Sequence, residues 1–508
     1  MGIDLGTTFS TASYYDEGRV ETLEINGSKL VPSVVWYPED GSPAVVGKSA
    51  MHMTVQKPER VVSLIKREMG TENYRHPHTG KSAAEVSAEI LKHLKSEAEQ
   101  FLAEEVKDAV ITIPAYFGEI ERAHTREAGQ LAGLNVVQLL PEPHAAALAY
   151  AVEQVANVED KYLLVYDLGG GTFDVTVIHT TRKSGGDANV LDIRTVAKDG
   201  DSRCGGADWD QVLFELVSAR LSEKYGHEVS QDKREAALVL ENCEERKRNL
   251  SDLSSTIILG ATALHEVEVS RKDFERNSKD LVFKTKVKLQ SVLKEARASN
   301  PDIDSSGLTV LLAGGSTRMP MIPAMLEEVL GSPPLSYKNP DLLVSIGAAY
   351  WGHLVHGESV KSKKGGLVAV KPGGLMDLAT QGVGVRVFTG GLSSDQEIIE
   401  NVIPRGSAYD GEEFASGGLT TRSDNQTSVQ LPIYEGNSTK VENCRFLASF
   451  QITGLPPRPA GQPITVYLSF DHDGVIRGRG VDDLTQKEVK ITIDRNNIKA
   501  GGGARASG

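Results

Sequence analysis

The sequence predicts a mixed α/β architecture followed by an all-β sandwich, and three observations carry that prediction. The chain opens on a strand, a glycine turn and a second strand, and the same grammar returns at Tyr162–His179. Helical stripes then alternate with apolar strand runs as far as Gly357, the pattern of α/β chains. From Leu378 to Asp494 the helical period gives way to short β-type runs separated by Pro-Pro, Asp-Gly and Gly-Asn turn signals.

The elements follow in order. Gly2–Leu5 reads as a strand, Gly6-Thr7-Thr8 as a turn and Phe9–Tyr15 as the returning strand. The second copy is Tyr162–Tyr166, Asp167–Thr172 and Phe173–His179, so the α/β part reads as a duplicated unit. Between the copies Val86, Ile90, Leu94, Ala98 and Leu102 recur every fourth residue, which predicts a helix over Ala83–Leu102 packed on a sheet. Further helices are expected at Trp209–Lys224, Gln231–Leu250 and Arg271–Arg297. Residues 1–357 are thus read as the α/β domain, and 358–376, with its Lys363-Lys364-Gly365-Gly366 stretch, as a linker. Strands at Gly382–Phe388, Ser428–Tyr434, Arg445–Ile452, Pro463–Asp471, Gly474–Asp482 and Glu488–Ile493 form the sandwich, 377–496. Residues 497–508 are Gly/Ala/Ser-rich and read as a disordered tail.

Composition narrows the function. The chain has 508 residues and a net charge of −14, which argues against nonspecific nucleic-acid or anionic-membrane binding, since both reward a basic surface. No apolar run reaches the ~18 residues that a membrane span needs. The three cysteines, Cys204, Cys243 and Cys444, have neither zinc nor redox spacing and fit a reducing compartment. Met1-Gly2-Ile3-Asp4 reads as a strand end and not as a basic-then-apolar leader, so a cytoplasmic location is expected.

Chemistry concentrates in three glycine loops that follow apolar strands. They are Asp4-Leu5-Gly6-Thr7-Thr8, Asp167-Leu168-Gly169-Gly170-Gly171-Thr172-Phe173-Asp174 and Leu312-Ala313-Gly314-Gly315-Ser316-Thr317-Arg318. Glycine lets backbone N–H groups converge on one anion, and threonine hydroxyls add donors. A carboxylate beside such a loop repels phosphate unless a cation stands between them, so Asp4, Asp167 and Asp174 imply Mg²⁺ held partly through water. A P-loop is excluded, because Gly47-Lys48-Ser49 has Ser42 where that motif needs its first glycine.

These loops, with Ile113-Pro114-Ala115-Tyr116-Phe117, Glu142-Pro143, Ala145–Tyr150, Gly205-Gly206 and Asn339-Pro340-Asp341, resemble the seventy-kilodalton heat-shock chaperones of the DnaK type. The resemblance runs from residue 1 to about 496. It implies a two-lobed, actin-like ATPase domain, a duplicated ribonuclease H-like fold, followed by a β-sandwich that binds peptides. In this reading Gly6, Thr7, Thr8, Gly169, Gly170, Gly171, Thr172, Gly205 and Gly206 cradle the phosphates of ATP or ADP. Asp4, Glu142, Asp167 and Asp174 hold hydrated Mg²⁺ and potassium. Lys66 places the attacking water, a role that suits an ammonium near developing phosphate charge. The catalytic set is Lys66, Asp4, Glu142, Asp167 and Thr172.

Glu244, Lys247, Arg248 and Ser251 share one helix face by their spacing. The resemblance gives that face, with Gly314, Gly315, Ser316, Arg318 and Asp341, the adenine and ribose. In the sandwich, Phe388, Ile398, Val429 and Leu431 are candidate walls of a pocket for one apolar side chain of an extended client.

The chain departs from the family pattern in places. It ends where the helical lid would begin, which implies a lidless form with low client affinity. The linker Gly374-Leu375-Met376-Asp377 is less apolar than expected. At the J-domain cochaperone surface Gln138 stands where a cation is expected and Pro141 where the pattern has asparagine, while Arg122, Arg126 and Asp377 are retained. Ser251–Val269 lacks the long hairpin an exchange factor would grip. The expected function is a weak, ATP-hydrolysing, monomeric chaperone whose nucleotide state sets its affinity for unfolded peptides. The alternatives are a non-hydrolysing ATP-binding scaffold or cochaperone of the same family, and a small-substrate kinase, which would have no use for the sandwich.

Overall fold

The computed structural model describes residues 1–494 except 72, 155–159, 186–187, 227, 230–231, 261–264, 304–306, 336–338, 362–366 and 390–395. The expected tail 497–508 and the Lys363-Lys364-Gly365-Gly366 stretch therefore lie outside the described residues. The chain divides into two compact units, Met1–Tyr116 with Glu121–Leu375, and Phe117–Ile120 with the chain from Met376.

The first unit is built on two six-stranded sheets, and the duplication is visible in their registers. In one sheet, strand Gly2–Asp4 runs antiparallel to Phe9–Asp16 and parallel to Asp108–Ile113. In the other, Lys161–Leu168 runs antiparallel to Phe173–Gly185 and parallel to Thr309–Ala313. Each copy thus turns a tight glycine loop at the same end of its first strand.

Two helices fill the space between the sheets. Leu343–Leu354 packs on Gly2–Asp4 and Phe9–Asp16, and Glu142–Gln154 packs on Lys161–Leu168. Small residues let them approach: a Cβ on Gly347 would fall 1.8 Å from the Ala145 carbonyl oxygen, and one on Gly2 would fall 2.1 Å from the Ala349 nitrogen. Ala145–Ala149 are fully buried at this crossing. The crossing delivers Glu142 in the first turn of its helix, between the two glycine loops.

Helix Ala83–Leu102 has the bounds its apolar stripe predicts. Ser82 and Glu85 close its start reciprocally, the Ser82 hydroxyl accepting from the Glu85 N–H at 3.1 Å and the Glu85 carboxylate from the Ser82 N–H at 2.9 Å. The helix expected at Arg271–Arg297 is two helices, Arg271–Asn277 and Lys279–Ser299, divided at the buried Ser278. The segment read as a linker also differs. Val360–Lys361 and Leu367–Met376 are strands, added beyond Ala188–Asp201 at the edge of the second sheet.

The second unit is an eight-stranded, fully antiparallel array. Its order is Gln396–Ile403, Val383–Thr389, Ser428–Glu435, Arg445–Thr453, Lys487–Asp494, Ile476–Asp482, Pro463–Phe470 and Phe414–Thr420. Alternation makes the core: Ile464, Val466, Leu468 and Phe470 are buried along one strand while their neighbours are more exposed. Gly478 leaves room for the Phe450 ring, which a Cβ there would meet at 2.0 Å.

Candidate active site

The first glycine loop hangs from strand Gly2–Asp4, which sets Asp4 at the edge of a cleft of about 430 Å³. Gly6 is obligatory there, because a Cβ would fall 2.0 Å from the Phe9 carbonyl oxygen. The second loop closes the opposite side. A Cβ on Gly170 would fall 1.8 Å from Thr8 Oγ1, and one on Gly171 would fall 2.2 Å from Thr7 Cγ2. The threonines of one copy thus stand directly against the glycines of the other. The missing side chains make room for hydroxyls and bare backbone to face one space.

Asp4, Glu142, Asp167 and Lys66 line that space, and Asp174 is buried behind it with Lys198 acting on it. Lys66 Nζ donates to Glu142 Oε1 at 2.6 Å, both side chains buried. Asp167 and Asp174 are cross-strand partners and share a face. Burial pushes the Asp4 carboxyl up to about 7, reinforced by the Glu142 charge. Asp167 and Asp174 are held well above the usual carboxylate range, again by burial and then by Glu142. Burial works to lower Lys66, but Glu142 and Asp4 outweigh it and leave the ammonium raised. Two lysines, Lys66 and Lys198, do not neutralise four carboxylates, and a cation is the charge their chemistry calls for. Among the described residues no three acidic, histidine or cysteine side chains converge as direct ligands of one ion. The carboxylates of Asp4, Glu142 and Asp167, oxygen donors facing the cleft, suit Mg²⁺, which keeps much of its water and binds few protein oxygens directly.

The third loop forms the cleft's far end. Gly314 has φ 78°, and its Cβ would fall 2.4 Å from the Leu168 carbonyl oxygen. Gly315 leaves space for Asp341, whose Oδ2 accepts from the Arg318 guanidinium at 2.6 Å. Ser316 Oγ donates to the Gly169 carbonyl at 2.9 Å and ties the third loop to the second. Helix Lys233–Asp252 presents Glu244, Lys247, Arg248 and Ser251 to the same cleft. Arg248 donates to Glu244 at 2.6 Å, and Lys247 donates to the Gly206 carbonyl at 2.8 Å.

Most of the expected nucleotide-site residues line this one cleft, including Lys66, Asp4, Glu142, Asp167 and Thr172. Gly171, Gly205 and Asp174 do not. Gly205 packs on Gly171, where a Cβ would meet backbone at 2.5 Å, so this pair sets loop spacing from behind. Asp174 is buried beside its cross-strand partner Asp167.

Several residues enter that the sequence did not single out. Phe9 faces the cleft with the Arg248 guanidinium carbon 5.1 Å from its ring centre. Asp210 pairs with Lys247 at 2.8 Å. Arg67 donates to the Gly171 carbonyl at 2.8 Å and to Asp208 Oδ2 at 2.5 Å, clamping the second loop to the start of helix Gly206–Tyr225. The only signal for Arg67 was its place beside Lys66. Asp210 offered only an Asp-x-Asp spacing after Gly205-Gly206.

The four candidate peptide-pocket residues do not share one face. Leu431 is buried in the sandwich core opposite Phe450, and Val429 packs on the same core. Ile398 is half-buried. Phe388 is exposed beneath the Arg422 guanidinium, 4.4 Å from its ring centre. Its strand turns Val383 and Val385 to the core, so alternation puts Phe388 on the other side from Leu431.

No helix among the described residues is long and apolar enough to cross a membrane. The family model described as Hsp70 protein matches residues 1–501. The chain is 34% identical over 506 residues to the chaperone protein DnaK of Halobacterium salinarum, covering 97% of this chain and 75% of that one. It is 36% identical over 507 residues to the chaperone protein DnaK of Thermotoga maritima, covering 97% of this chain and 80% of that one.

Proposed function

The chain belongs to the Hsp70 family of ATP-dependent molecular chaperones, and on that premise we propose how its own residues divide the work of ATP hydrolysis. The nucleotide occupies the cleft with its phosphates between the two glycine loops. Backbone N–H groups of residues 6–8, Gly170 and Thr172 and the hydroxyls of Thr7, Thr8 and Thr172 receive the phosphate oxygens, while Gly169, Gly171, Gly205 and Gly206 shape the cradle, the N–H groups of Gly169, Gly205 and Gly206 being bonded within the loops. Base and ribose lie between the Glu244–Ser251 face and Gly314–Arg318 with Asp341. The observation that carries this reading is the interlock of Thr7 and Thr8 with Gly171 and Gly170 above a buried Lys66–Glu142 pair.

Lys66 holds the water that attacks the γ-phosphate, and Glu142 holds Lys66 in place. An ammonium fixed in a low-dielectric cleft stabilises the charge that grows on the phosphoryl oxygens without reorganising. Asp4, Asp167, Asp174 and Glu142 would hold hydrated Mg²⁺, which supplies charge neutralisation and a template for the phosphates, and potassium as a second ion. The first unit, which runs to Leu375, acts as the ATPase domain, and the sandwich from Met376 acts as the peptide-binding domain. Clients are extended apolar segments, with Ile398 and Val429 as the assigned contacts nearest an accessible face and Leu431 as support behind them. Three free cysteines, two of them buried, favour a reducing, cytoplasmic compartment, and a monomer is the working state.

The test is ATP hydrolysis measured with and without an unfolded peptide, alongside calorimetric titration of MgADP. Binding of nucleotide and peptide-dependent turnover support the reading. No heat on titration in the presence of Mg²⁺ would remove it.

A further inference from the structure

Strand Phe9–Asp16 carries three consecutive-to-alternate hydroxyls, Ser10, Thr11 and Ser13, and they are treated differently. Ser10 Oγ lies 2.8 Å from Ser33 Oγ. Ser13 Oγ lies 2.9 Å from Thr22 Oγ1 and 3.0 Å from Ser345 Oγ. Thr11 is 1% exposed, and its Oγ1 has no hydrogen-bond partner. A buried hydroxyl left unpaired is costly, and valine would fill the same volume without that cost. Packing alone therefore gives no reason for threonine here.

Position supplies one. The antiparallel register sets Thr11 opposite Asp4 and Ser13 opposite Gly2, so all four share one face of the strand pair. Helix Leu343–Leu354 covers that face where Ser13 meets Ser345. Near the start of the helix the cover ends, and Thr11, Asp4 and Val344 together line the cleft. Thr11 is not spent on Asp4, whose Oδ1 accepts instead from the Thr112 hydroxyl at 3.2 Å. An unpaired, buried hydroxyl is thus held beside a cleft carboxylate, on a residue that lines the ligand space.

We infer that Thr11 is a positioning residue of the nucleotide site, its hydroxyl orienting the water shell of the cation beside Asp4. The inference rests on the nucleotide reading above. Phosphate is the less suitable partner, because Thr11 stands across from Asp4 and away from the Thr7-Thr8 turn. Water bound to a hard divalent cation needs fixed acceptors and donors around it, and a hydroxyl is both. In this role Thr11 makes nucleotide affinity depend on the cation, and leaves metal-free binding alone.

The experiment is calorimetric titration of ADP into the full chain across a Mg²⁺ series and in EDTA, for wild type, Thr11→Val and Thr11→Ser. Thr11→Val is expected to lose about threefold to tenfold in affinity at saturating Mg²⁺, the worth of one hydrogen bond, and nothing in EDTA. Thr11→Ser, which keeps the hydroxyl, restores the Mg²⁺ response. Equal affinities for wild type and Thr11→Val in Mg²⁺, or an equal loss with and without Mg²⁺, overturns the inference while leaving the nucleotide reading intact. Wild type that binds no ADP under any condition removes both. Should Thr11→Val not fold, Thr11→Cys, similar in volume and weak as a hydrogen-bonding group, is read by the same criteria.

Discussion

Lys66 Nζ sits 2.6 Å from Glu142 Oε1 in a pair that is almost wholly withdrawn from water. The two come from distant parts of the chain, Lys66 from a short turn after Leu64, which itself has φ 56°, and Glu142 from the first turn of its helix. Removing the ammonium leaves four carboxylates with Lys198, which acts on Asp174, as a remaining buried ammonium and none paired to Glu142. Lys66→Ala is therefore expected to cut single-turnover ATP hydrolysis by about a hundredfold or more, the range for losing one preorganised electrostatic group. MgADP affinity should change far less, because the cradle is backbone. Phosphate release that stays at the wild-type rate would remove Lys66 from the mechanism.

The interlocked loops make a sharper steric prediction. Gly170→Ala and Gly171→Ala would drive a methyl to within 1.8 Å and 2.2 Å of Thr8 and Thr7, so each must spread the two loops. Both are expected to abolish detectable nucleotide binding while the fold survives, as read by circular dichroism and calorimetry. Gly307→Ala, where a Cβ meets nothing within 4 Å, is the matched control and should bind as wild type does.

Much of this was legible in the chain itself, for local reasons. The Ser82 and Glu85 cap, the fourfold apolar repeat and the glycine loops are short-range signals, and each sits where the sequence put it. What escaped detection is fixed by contacts distant in sequence. Leu367–Met376 contains Pro372, Gly373 and Gly374, poor strand formers, and becomes a strand by lying at the edge of the second sheet. Phe414–Thr420 was missed because Gly417-Gly418 falls at a register shift that breaks the alternation. Thr11 and Asp210 have no motif of their own, and only the folding of the cleft around them reveals them.

Asp210 gives a pH prediction. Burial pushes its carboxyl up to about 6, a rise that the neighbouring Lys247 only partly offsets. The folded protein then holds this proton more tightly than the unfolded chain, whose carboxyl keeps its ordinary value of 3.8. Its stabilising contribution is full below the unfolded value and is lost as pH rises through about 6, by at most about 3 kcal/mol. Asp210→Asn does not titrate. Urea midpoints of the variant should therefore gain on wild type between about pH 4 and about pH 6, the window set by the two pKa values. A gap that is flat across that range would refute the assignment.

Gln138 bears on cochaperone control. Its Oε1 accepts from the Trp351 indole N–H at 2.6 Å, so the side chain is already engaged within the ATPase unit. Pro141, in the same strand, offers no N–H. A J-domain that depends on a cation at the first position and a donor at the second finds neither. The expected outcome is ATP turnover that does not rise when a J-domain protein of the DnaK system is added, measured by steady-state phosphate release. Clear stimulation would show that Arg122 and Arg126 suffice.

In the sandwich, Leu431 and Phe388 should separate stability from client binding. Leu431 is 4% exposed in the core, and Leu431→Ala is expected to cost roughly 2–5 kcal/mol, as buried leucine truncations do. Its effect on peptide affinity then comes through a loosened sheet and should fall away at low temperature, where the variant is folded. Phe388, 38% exposed on the opposite side, carries no such load, and Phe388→Ala should leave the denaturation midpoint within about 0.5 kcal/mol. Fluorescence anisotropy of a labelled apolar peptide decides the second half. Affinity unchanged by Phe388→Ala confirms that the outer face is not the pocket, and a large loss would place the client on the outer face, under Arg422.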